Sequence, residues 1–456
     1  MVSKILYHTK GDFIRRLIAI ALPITLQSIM FSSRSLVDVL MLGQLGEAEI
    51  AAVGVAARAT FVTTIMLVGV TTGGALLTAQ YWGAGDKKGV RQSTALTWLI
   101  STIFAALTAS LFILFPTQIM SLATDSQEVI ALGAEYLVIT SITMFAVACV
   151  ASMSVGLRAM HKPGVSTFFS GIGIVSNIFL NWVLIFGKFG VPAMGIKGAA
   201  IATVLSGAIE VLTLFSYLHL KKHLLAFGIG DIRDVMEWPR IVKFLKLSLP
   251  TTFNFFAWAG GLFAYHAILG HSGVQGLAAL SVMTPVESIS LALLIGMSNA
   301  AAVLVGNQIG AKNYEQVYYQ AIGVTILSVI VGIIVAALLY MVQGLVLDSF
   351  AALTQETRAL AEKFMLVLSL GIVLRSVPMM TIVGVLRAGG DVKFCLYQDL
   401  VAQWMIGIPL AAFAAIGLGW PPEWIYLLFL TEEAIKWFGS LYRMKTRKWI
   451  RNLIEN

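Results

Sequence analysis

The sequence predicts an all-α integral membrane protein with twelve transmembrane helices. Only 12% of its 456 residues are charged and 58% are hydrophobic, whereas soluble domains carry about 25% charged residues. Apolar runs follow one another along almost the whole chain, and each is long enough to cross the roughly 30 Å hydrocarbon layer as a helix. This composition excludes an ordinary soluble enzyme, a disordered chain and a fibrous repeat.

The predicted spans alternate with short polar turns throughout the chain. Because their number is even, both termini are expected on the same side of the membrane. The twelve spans are 14–42, 49–81, 90–115, 127–157, 164–187, 195–219, 245–269, 277–308, 317–346, 357–386, 394–416 and 422–442.

The basic residues predict which side that is. With a cytoplasmic amino terminus, 23 of the 31 basic residues lie on the cytoplasmic side, and three lie in outside loops: Lys188, Lys197 and Arg358. The positive-inside rule then places both termini in the cytoplasm. The net charge of +8 is explained by this topology, so the expected partner is the lipid bilayer and no nucleic acid. Residues 1–16 lack the pattern of a secretory signal, and the first span is expected to stay in the mature protein.

The chain repeats itself at an offset of 227 residues. Pro23 aligns with Pro250, Gly43 with Gly270 and Gly46 with Gly273, all without a gap. A Leu-Arg-Ala sequence at residue 157 recurs at 386, where the offset has become 229. The two halves are therefore predicted to be six-helix lobes related by a pseudo-two-fold axis along the membrane normal, as in parallel-repeat transporters. We expect an N-lobe over 1–219, a cytoplasmic linker over 220–244 and a C-lobe over 245–456.

The motifs that are missing narrow the class of membrane protein. No phosphate-binding GxxxxGK[ST] loop occurs, so uphill transport is expected to draw on an ion gradient. No HExxH or GxSxG motif occurs, and Cys149 and Cys395 both lie in apolar runs, so no enzyme activity, cofactor, metal site or disulfide is expected. A secondary transporter working by alternating access, or a flippase of similar build, is predicted.

Five motifs together resemble the multidrug and toxic compound extrusion (MATE) family. They are ALP at 21–23, LVDVLMLGQLG at 36–46, GAGD at 83–86, GIKGAAIAT at 195–203 and GNQIGAKN at 306–313. The resemblance covers essentially the whole chain. It implies a monomeric bacterial inner-membrane exporter that moves amphipathic organic cations outward in exchange for a coupling cation.

The resemblance also bears on the coupling ion. NorM-like members carry an acidic residue in helix seven, where this chain has Ala259 or a close neighbour, and its helix ten has no carboxylate either. This pattern is similar to the DinF-like branch, which implies coupling to protons through a first-lobe aspartate, with sodium as an alternative ion. A lipid-linked oligosaccharide flippase of the same superfamily is the other alternative, because Arg34, Arg58 and Arg375 could meet a pyrophosphate.

Asp38 is the principal candidate for proton coupling. A carboxylate inside a span costs about 2.5–3.5 kcal/mol on insertion scales and is usually functional. An ion pair with Arg34, one helical turn earlier, is the structural alternative. Asn177 and Asn181 share a face of helix five, and each amide can donate to an ionised carboxylate and accept from a protonated one. Family resemblance assigns both asparagines to the same cation site as Asp38.

Further candidates surround this predicted site. The resemblance implicates Pro23 in bending helix one, since proline removes a backbone hydrogen bond. Glu287 and His266 are possible second titrating groups, whereas Glu210, Asp399, Arg58 and Arg375 are expected to be buried partners or snorkelling groups. Aromatic and methionine side chains can accommodate varied cations, although ordinary packing explains them equally. The predicted substrate cavity is lined by Gln27, Met30, Arg34, Thr203, Ser206, Phe255, Tyr265 and Glu287.

Overall fold

The long apolar runs of the sequence form helix almost from end to end. The computed structural model describes residues 2–42, 44–348 and 354–455, apart from the side chains of residues 34–36, 39, 274, 277 and 281. Gly43 of the repeat and the side chain of Arg34 therefore lie outside the described residues, and the pairing of Arg34 with Asp38 stays a prediction. No strand occurs in the described ranges.

Eighteen α-helices follow one another in the part of the chain that the structure describes. Their bounds are α1 Val2–Thr9, α2 Asp12–Leu42, α3 Glu47–Gly83, α4 Lys87–Leu114, α5 Pro116–Ser121, α6 Gln127–Thr140, α7 Thr143–Ala159, α8 Pro163–Phe186, α9 Gly195–Leu220, α10 Ile229–Val235, α11 Trp238–Gly270, α12 Val274–Gly310, α13 Tyr314–Asp348, α14 Gln355–Pro378, α15 Val392–Asp399, α16 Ile408–Ala412, α17 Pro422–Leu428 and α18 Thr431–Lys445. Three π-helical segments continue the helices at Met379–Arg387, Leu400–Gly407 and Phe413–Gly417.

All twelve predicted spans fall on these helices. Among the described residues, nine helices are long and apolar enough to cross a membrane by themselves, and the bent pair α6–α7 makes a tenth. The other two predicted spans lie on α11, which contains polar side chains such as Asn254 and His266, and on α17–α18, which carries Glu432, Glu433 and Lys436. The predicted all-helical membrane fold is confirmed.

The fourth predicted span is wrong as a single helix, because α6 and α7 meet at a bend of 46°. Three hydroxyl groups at the break bond to backbone carbonyls of the preceding turn. Thr140 donates to the Tyr136 carbonyl at 2.8 Å, Ser141 to that of Val138 at 2.6 Å, and Thr143 to that of Thr140 at 2.5 Å. Such bonds compete with the helical ladder and bend helices.

The chain packs into two units. Unit 1 comprises Met1–Thr25, Ala79–Gly85 and Phe253–Asn456, and unit 2 comprises Leu26–Thr78 and Asp86–Thr252. In α2 the chain passes from unit 1 to unit 2 two residues after Pro23, and in α11 it passes back to unit 1 two residues after Pro250. We call each of these points a changeover. These units are defined by packing rather than by chain order, and the predicted N-lobe and C-lobe boundaries stay a prediction.

Small residues bring α8 and α9 of unit 2 close together. A Cβ atom on Gly198 would lie 2.5 Å from the carbonyl oxygen of Leu184, and one on Gly173 would lie 2.6 Å from Oε2 of Glu210. Glycine at helix contacts in membranes lets backbones approach closely. This approach brings the polar faces of α8 and α9 within hydrogen-bonding reach.

The predicted linker contains α10, which is tied back to α4 within unit 2. The guanidinium of Arg91 donates to Oδ2 of Asp231 at 2.7 Å. Desolvation raises the pKa of Asp231, but hydrogen bonds from Arg91 and from the Gly228 backbone N–H outweigh it and hold the pKa below its usual value. The ion pair between Asp231 and Arg91 therefore joins the linker to α4, and it requires an ionised Asp231.

Described residues 449–455 follow α18 and form a tail that packs into unit 1. Trp449 is fully buried, and its indole N–H donates to the Met444 carbonyl at 3.0 Å. The side chain of Gln80 binds the tail twice, through the Arg451 carbonyl at 3.0 Å and the Leu453 N–H at 2.7 Å. Within unit 1 the tail thus fastens the end of α3.

Candidate functional site

Asp38 lies in the second half of α2 and contacts α8. It is half-buried, and its Oδ1 accepts a hydrogen bond of 2.5 Å from Nδ2 of Asn181. Asn181 is 1% exposed. Bonds from an amide to an ionised carboxylate are shorter and stronger than those between neutral groups, so this contact fixes the carboxylate against α8.

A line of polar side chains continues from this contact between α8 and α9. Nδ2 of Asn181 also donates to Oδ1 of Asn177 at 3.3 Å, and Nδ2 of Asn177 donates to Oγ of Ser206 at 3.3 Å. The Ser206 hydroxyl in turn donates to the Thr203 carbonyl at 3.0 Å. The structure therefore brings together Asp38, Asn177, Asn181 and Ser206, four of the residues predicted from the sequence.

The oxygen of the Asn181 amide is the unusual atom of this network. Oδ1 is buried and has no hydrogen-bond partner, although a buried unsatisfied acceptor costs about 1–3 kcal/mol. It belongs to the same amide group that donates to Asp38. The nitrogen of the amide can therefore donate to an ionised carboxylate, and its unpaired oxygen can accept a hydrogen bond from a protonated one.

The other predicted residues of α2 and α9 are not all part of this network. The Thr203 hydroxyl donates to the carbonyl of Ala199 in its own helix at 3.0 Å. Met30 faces α8, where its Cε would lie 3.3 Å from a Cβ on Gly171. Pro23 lies within α2, in unit 1, two residues before the changeover. Gln27 is 4% exposed and belongs to a different set of contacts.

Gln27 joins a second buried network in unit 2. Its Oε1 accepts from the guanidinium of Arg158 at 2.9 Å, and its Nε2 donates to Oγ of Ser170 at 3.0 Å. The Ser170 hydroxyl donates to Oε1 of Glu210 at 2.8 Å. Glu210 is thus a buried partner, as predicted, and Arg158 lies in the last turn of α7.

Unit 1 contains a cluster of buried charges around Tyr265. The Tyr265 hydroxyl donates to Oε2 of Glu432 at 2.7 Å. Lys436 lies 3.3 Å from Oδ1 of Asp399 and 3.6 Å from Oε1 of Glu432. We call this the charge cluster; its members are Glu287, Arg375, Asp399, Glu432, Glu433 and Lys436.

The carboxylates of the charge cluster outnumber its cations. Arg375 pairs with Glu287 and lies 3.6 Å from Glu433, so two cations face four carboxylates and the formal charge is −2. Asn254 adds one donor, at 2.9 Å from Oδ2 of Asp399. The sequence of α11 contains no acidic residue, and α18 supplies the carboxylate that Tyr265 contacts.

Three residues of the charge cluster were not predicted as functional from the sequence. Glu432, Glu433 and Lys436 lie in the last predicted span, and the first two are 5% and 8% exposed. The available signal was their density, since three charges within five residues are unusual for a span. The i, i+4 spacing of Glu432 and Lys436 indicates a local ion pair but does not reveal its neighbours.

Phe255 and His266 of unit 1 each contact a neighbouring protein group. The ring of Phe255 lies 5.2 Å from the guanidinium carbon of Arg387. His266 contacts the Leu262 carbonyl of its own helix at 2.8 Å. Arg58, which lies in unit 2, is exposed. Within the described ranges, no three His, Cys, Asp or Glu side chains are arranged to hold a metal ion.

Comparison with known proteins identifies relatives along the whole chain. A family model described as MatE matches residues 23–183 and 250–413. A probable multidrug resistance protein NorM of Rhizobium meliloti is 27% identical over 417 residues, covering 90% of this chain and 89% of that protein. An uncharacterized transporter, YisQ of Bacillus subtilis, is 24% identical over 454 residues and 95% of both chains.

A solved structure shares the fold. The crystal structure of a MATE protein in complex with MaL6 superposes with a TM-score of 0.86 at 17% identity, over 97% of this chain and 99% of that chain. At this identity the likeness concerns the fold alone. It agrees with the predicted arrangement of twelve helices in two lobes.

Proposed function

Because the chain belongs to the MatE family of multidrug and toxic compound extrusion transporters, we propose that it exports amphipathic organic cations in exchange for protons. On this proposal it is a DinF-like member that couples through Asp38. We place it as a monomer in a bacterial inner membrane with both termini in the cytoplasm, supported by the distribution of basic residues and by the bacterial relatives.

The observation that carries the proposal is the amide of Asn181. It donates to Asp38 at 2.5 Å while its own oxygen is buried without a partner. A permanently ionised carboxylate requires only donors, so the free acceptor has no function toward it. An acceptor beside the carboxylate is what the protonated state of Asp38 requires.

In the proposed cycle, the outward-open transporter binds a proton at Asp38. Neutralisation removes the charge that attracts the organic cation and replaces the bond from Asn181 by one toward its oxygen. The second half of α2 loses its charged anchor on α8 and bends near Pro23, which releases the substrate. The lobes then open to the cytoplasm, Asp38 gives up the proton there, and the ionised carboxylate admits the next cation.

Lipid flipping and sodium-coupled drug transport are the two alternative activities. A flippase for a pyrophosphate-linked lipid needs cations that are available to the phosphate, but Arg375 is held by Glu287 and Glu433. Coupling to sodium makes a different prediction, namely transport that follows a sodium gradient at constant pH. The experiment below includes this gradient as a separate arm.

Purified protein in liposomes tests the proposal with a fluorescent organic cation as substrate. We expect a pH gradient to drive uptake into inside-out liposomes, and a sodium gradient to leave it unchanged. Asp38→Asn should abolish the pH-driven transport. Asp12→Asn is the matched control, because Asp12 lies in the same helix and pairs with Arg16 on an exposed surface. Wild-type transport by Asp38→Asn, or transport driven only by sodium, would refute proton coupling at this residue.

A further inference from the structure

We propose that unit 1 binds the phosphate group of an anionic phospholipid in a cavity beside Arg447. The cavity has a volume of about 370 Å³ and is lined by Tyr314, Glu315, Arg447, Ile450 and Asn452. This volume lies within the range of small-molecule sites in proteins. The inference depends on the membrane fold of the chain and is independent of the proposed proton coupling.

The first support is the way in which the protein holds the Arg447 side chain. Its guanidinium carbon lies 3.9 Å from the centroid of the Tyr318 ring, and Tyr318 is buried. Stacking on an aromatic ring fixes the plane of a guanidinium and leaves the N–H donors along its edge available. These donors match the oxygens of a phosphate group, which they can bind in pairs.

The second support is that the carboxylates at this end of unit 1 pair with other cations. Within the described ranges, Arg447 takes part in no ion pair, although three carboxylates lie in the same part of the fold. Their pairs are Glu315 with Lys4, Glu455 with Lys312, and Asp391 with both Arg443 and Arg451. The charge of Arg447 is therefore available to an anion that the protein does not supply.

Tyr314 and Asn452 add polar groups to the same cavity. The Asn452 amide donates to the Tyr314 hydroxyl at 3.3 Å. A hydroxyl that accepts one hydrogen bond can still donate its own hydrogen, so Tyr314 can donate to a phosphate oxygen. Arg447 and Tyr314 thus supply donors from two elements, the segment after α18 and the first residue of α13.

The third support is the position of the cavity at the ends of membrane helices. Tyr314 begins α13, which is long and apolar enough to cross a membrane. Arg447 follows the end of α18 by two residues, and α18 belongs to the last predicted span. The ends of membrane helices lie at the level of the lipid headgroups. A phosphate of the bilayer is therefore within reach of the cavity.

Helix α1 gives a second indication that this end of unit 1 meets the bilayer. It packs on the first turns of α13, where Lys4 donates to Glu315 at 3.1 Å and the rings of His8 and Tyr319 stack with their centroids 5.8 Å apart. An exposed apolar face beside basic residues is typical of helices at a membrane interface. The apolar side chains that α1 leaves exposed are Val2, Leu6 and Tyr7.

The balance of charge favours an anionic lipid over a zwitterionic one. Lys4, Arg447 and the neighbouring Lys448 supply three positive charges and Glu315 supplies one negative charge, so the formal charge is +2. Each lysine or arginine close to an anionic membrane surface strengthens binding about fivefold. On the predicted topology this end of unit 1 faces the cytoplasm, where the leaflet carries anionic lipids.

Native mass spectrometry of the purified full chain tests the site, with phosphatidylglycerol as the anionic probe and phosphatidylcholine as the zwitterionic probe. We expect wild type to bind one phosphatidylglycerol in preference to phosphatidylcholine. Arg447→Gln should weaken the binding of phosphatidylglycerol at least about fivefold, because it removes one charge. Arg447→Lys keeps the charge and should retain most of the preference, although it lacks the planar fork of donors.

Lys445→Gln is the matched control, because it removes the same charge from an exposed residue two positions earlier that does not line the cavity. It should bind phosphatidylglycerol as wild type does. An unchanged preference in Arg447→Gln would overturn the inference. An equal loss in Lys445→Gln would also overturn it, since general charge attraction would then explain the binding.

Inorganic phosphate is the last probe, because the same donors could take a phosphate group from solution. Displacement of phosphatidylglycerol by an equal concentration of phosphate would show a site for soluble phosphate and overturn the assignment to a lipid. A requirement for a large excess of phosphate supports the lipid. Asp38→Asn should bind phosphatidylglycerol as wild type does, so the outcome at Arg447 and the outcome for proton coupling are read separately.

Discussion

Replacing Lys436 with methionine should strongly destabilise unit 1. Its ammonium lies 3.3 Å from Asp399 and 3.6 Å from Glu432. Each contact is worth about 5 kcal/mol at an effective dielectric constant of about 20. The variant leaves four carboxylates facing one guanidinium and changes the formal charge from −2 to −3. Because the lost attraction is partly offset by the desolvation of the ammonium, we expect a net loss of about 3–5 kcal/mol, as for other broken buried pairs.

Unfolding in mixed micelles of dodecyl maltoside and SDS measures this loss as a free energy. Lys445→Met, an exposed lysine in the same helix, should change the free energy of unfolding by about 0.5 kcal/mol or less. Adding Asp399→Asn to Lys436→Met restores the formal charge to −2 and should recover about 2 kcal/mol. Equal stability of the Lys436 and Lys445 variants, or a double variant less stable than Lys436→Met, would refute the reasoning.

Three further predictions concern the packing of each unit. Gln80→Ala should free the tail from two bonds of about 1 kcal/mol each, so its amides should exchange about 30-fold faster in hydrogen-exchange mass spectrometry; unchanged rates contradict this. Gly83→Ala would place a Cβ 1.8 Å from a carbonyl oxygen of α12 and should lower the melting temperature, whereas Gly54→Ala, with open space around it, should not. The tie from Arg91 to Asp231 should stabilise wild type over Asp231→Asn above pH about 4. Since the folded pKa is lowered, thermal unfolding should show this advantage disappearing as the pH falls through that pKa.

Hydropathy predicts the helices, but local side-chain chemistry decides where they break. All twelve predicted spans fall on helices, because crossing a hydrocarbon layer requires every backbone group to be bonded within the segment. The bend between α6 and α7 was not predicted, since threonine and serine are compatible with a membrane helix. Their effect depends on which carbonyl each hydroxyl contacts, and composition does not reveal that.

The Asp38 network could be predicted from the sequence to a greater extent than the charge cluster. Asn177 and Asn181 share a helix face by spacing alone, so their contact was predictable, and Asp38 is conspicuous as a charge inside a span. The charge cluster instead joins side chains of α11, α12, α14, α15 and α18, which are far apart in sequence. A helix-by-helix search for acids found none in α11. It could not detect that α18 places Glu432 against Tyr265.

The position of Pro23 gives the protonation of Asp38 a mechanical consequence. The first part of α2 packs in unit 1 and the second part in unit 2, and the changeover follows the proline by two residues. Beyond this point, two residues of α2 form hydrogen bonds to α8. Gln27 donates to Ser170, which itself donates to Glu210, and Asp38 accepts from Asn181. Of these two contacts, the one made by Asp38 involves a carboxylate. On the proposed cycle, protonation of Asp38 therefore weakens the attachment of the second half of α2 to α8, and the proline already lacks the backbone bond that would resist bending.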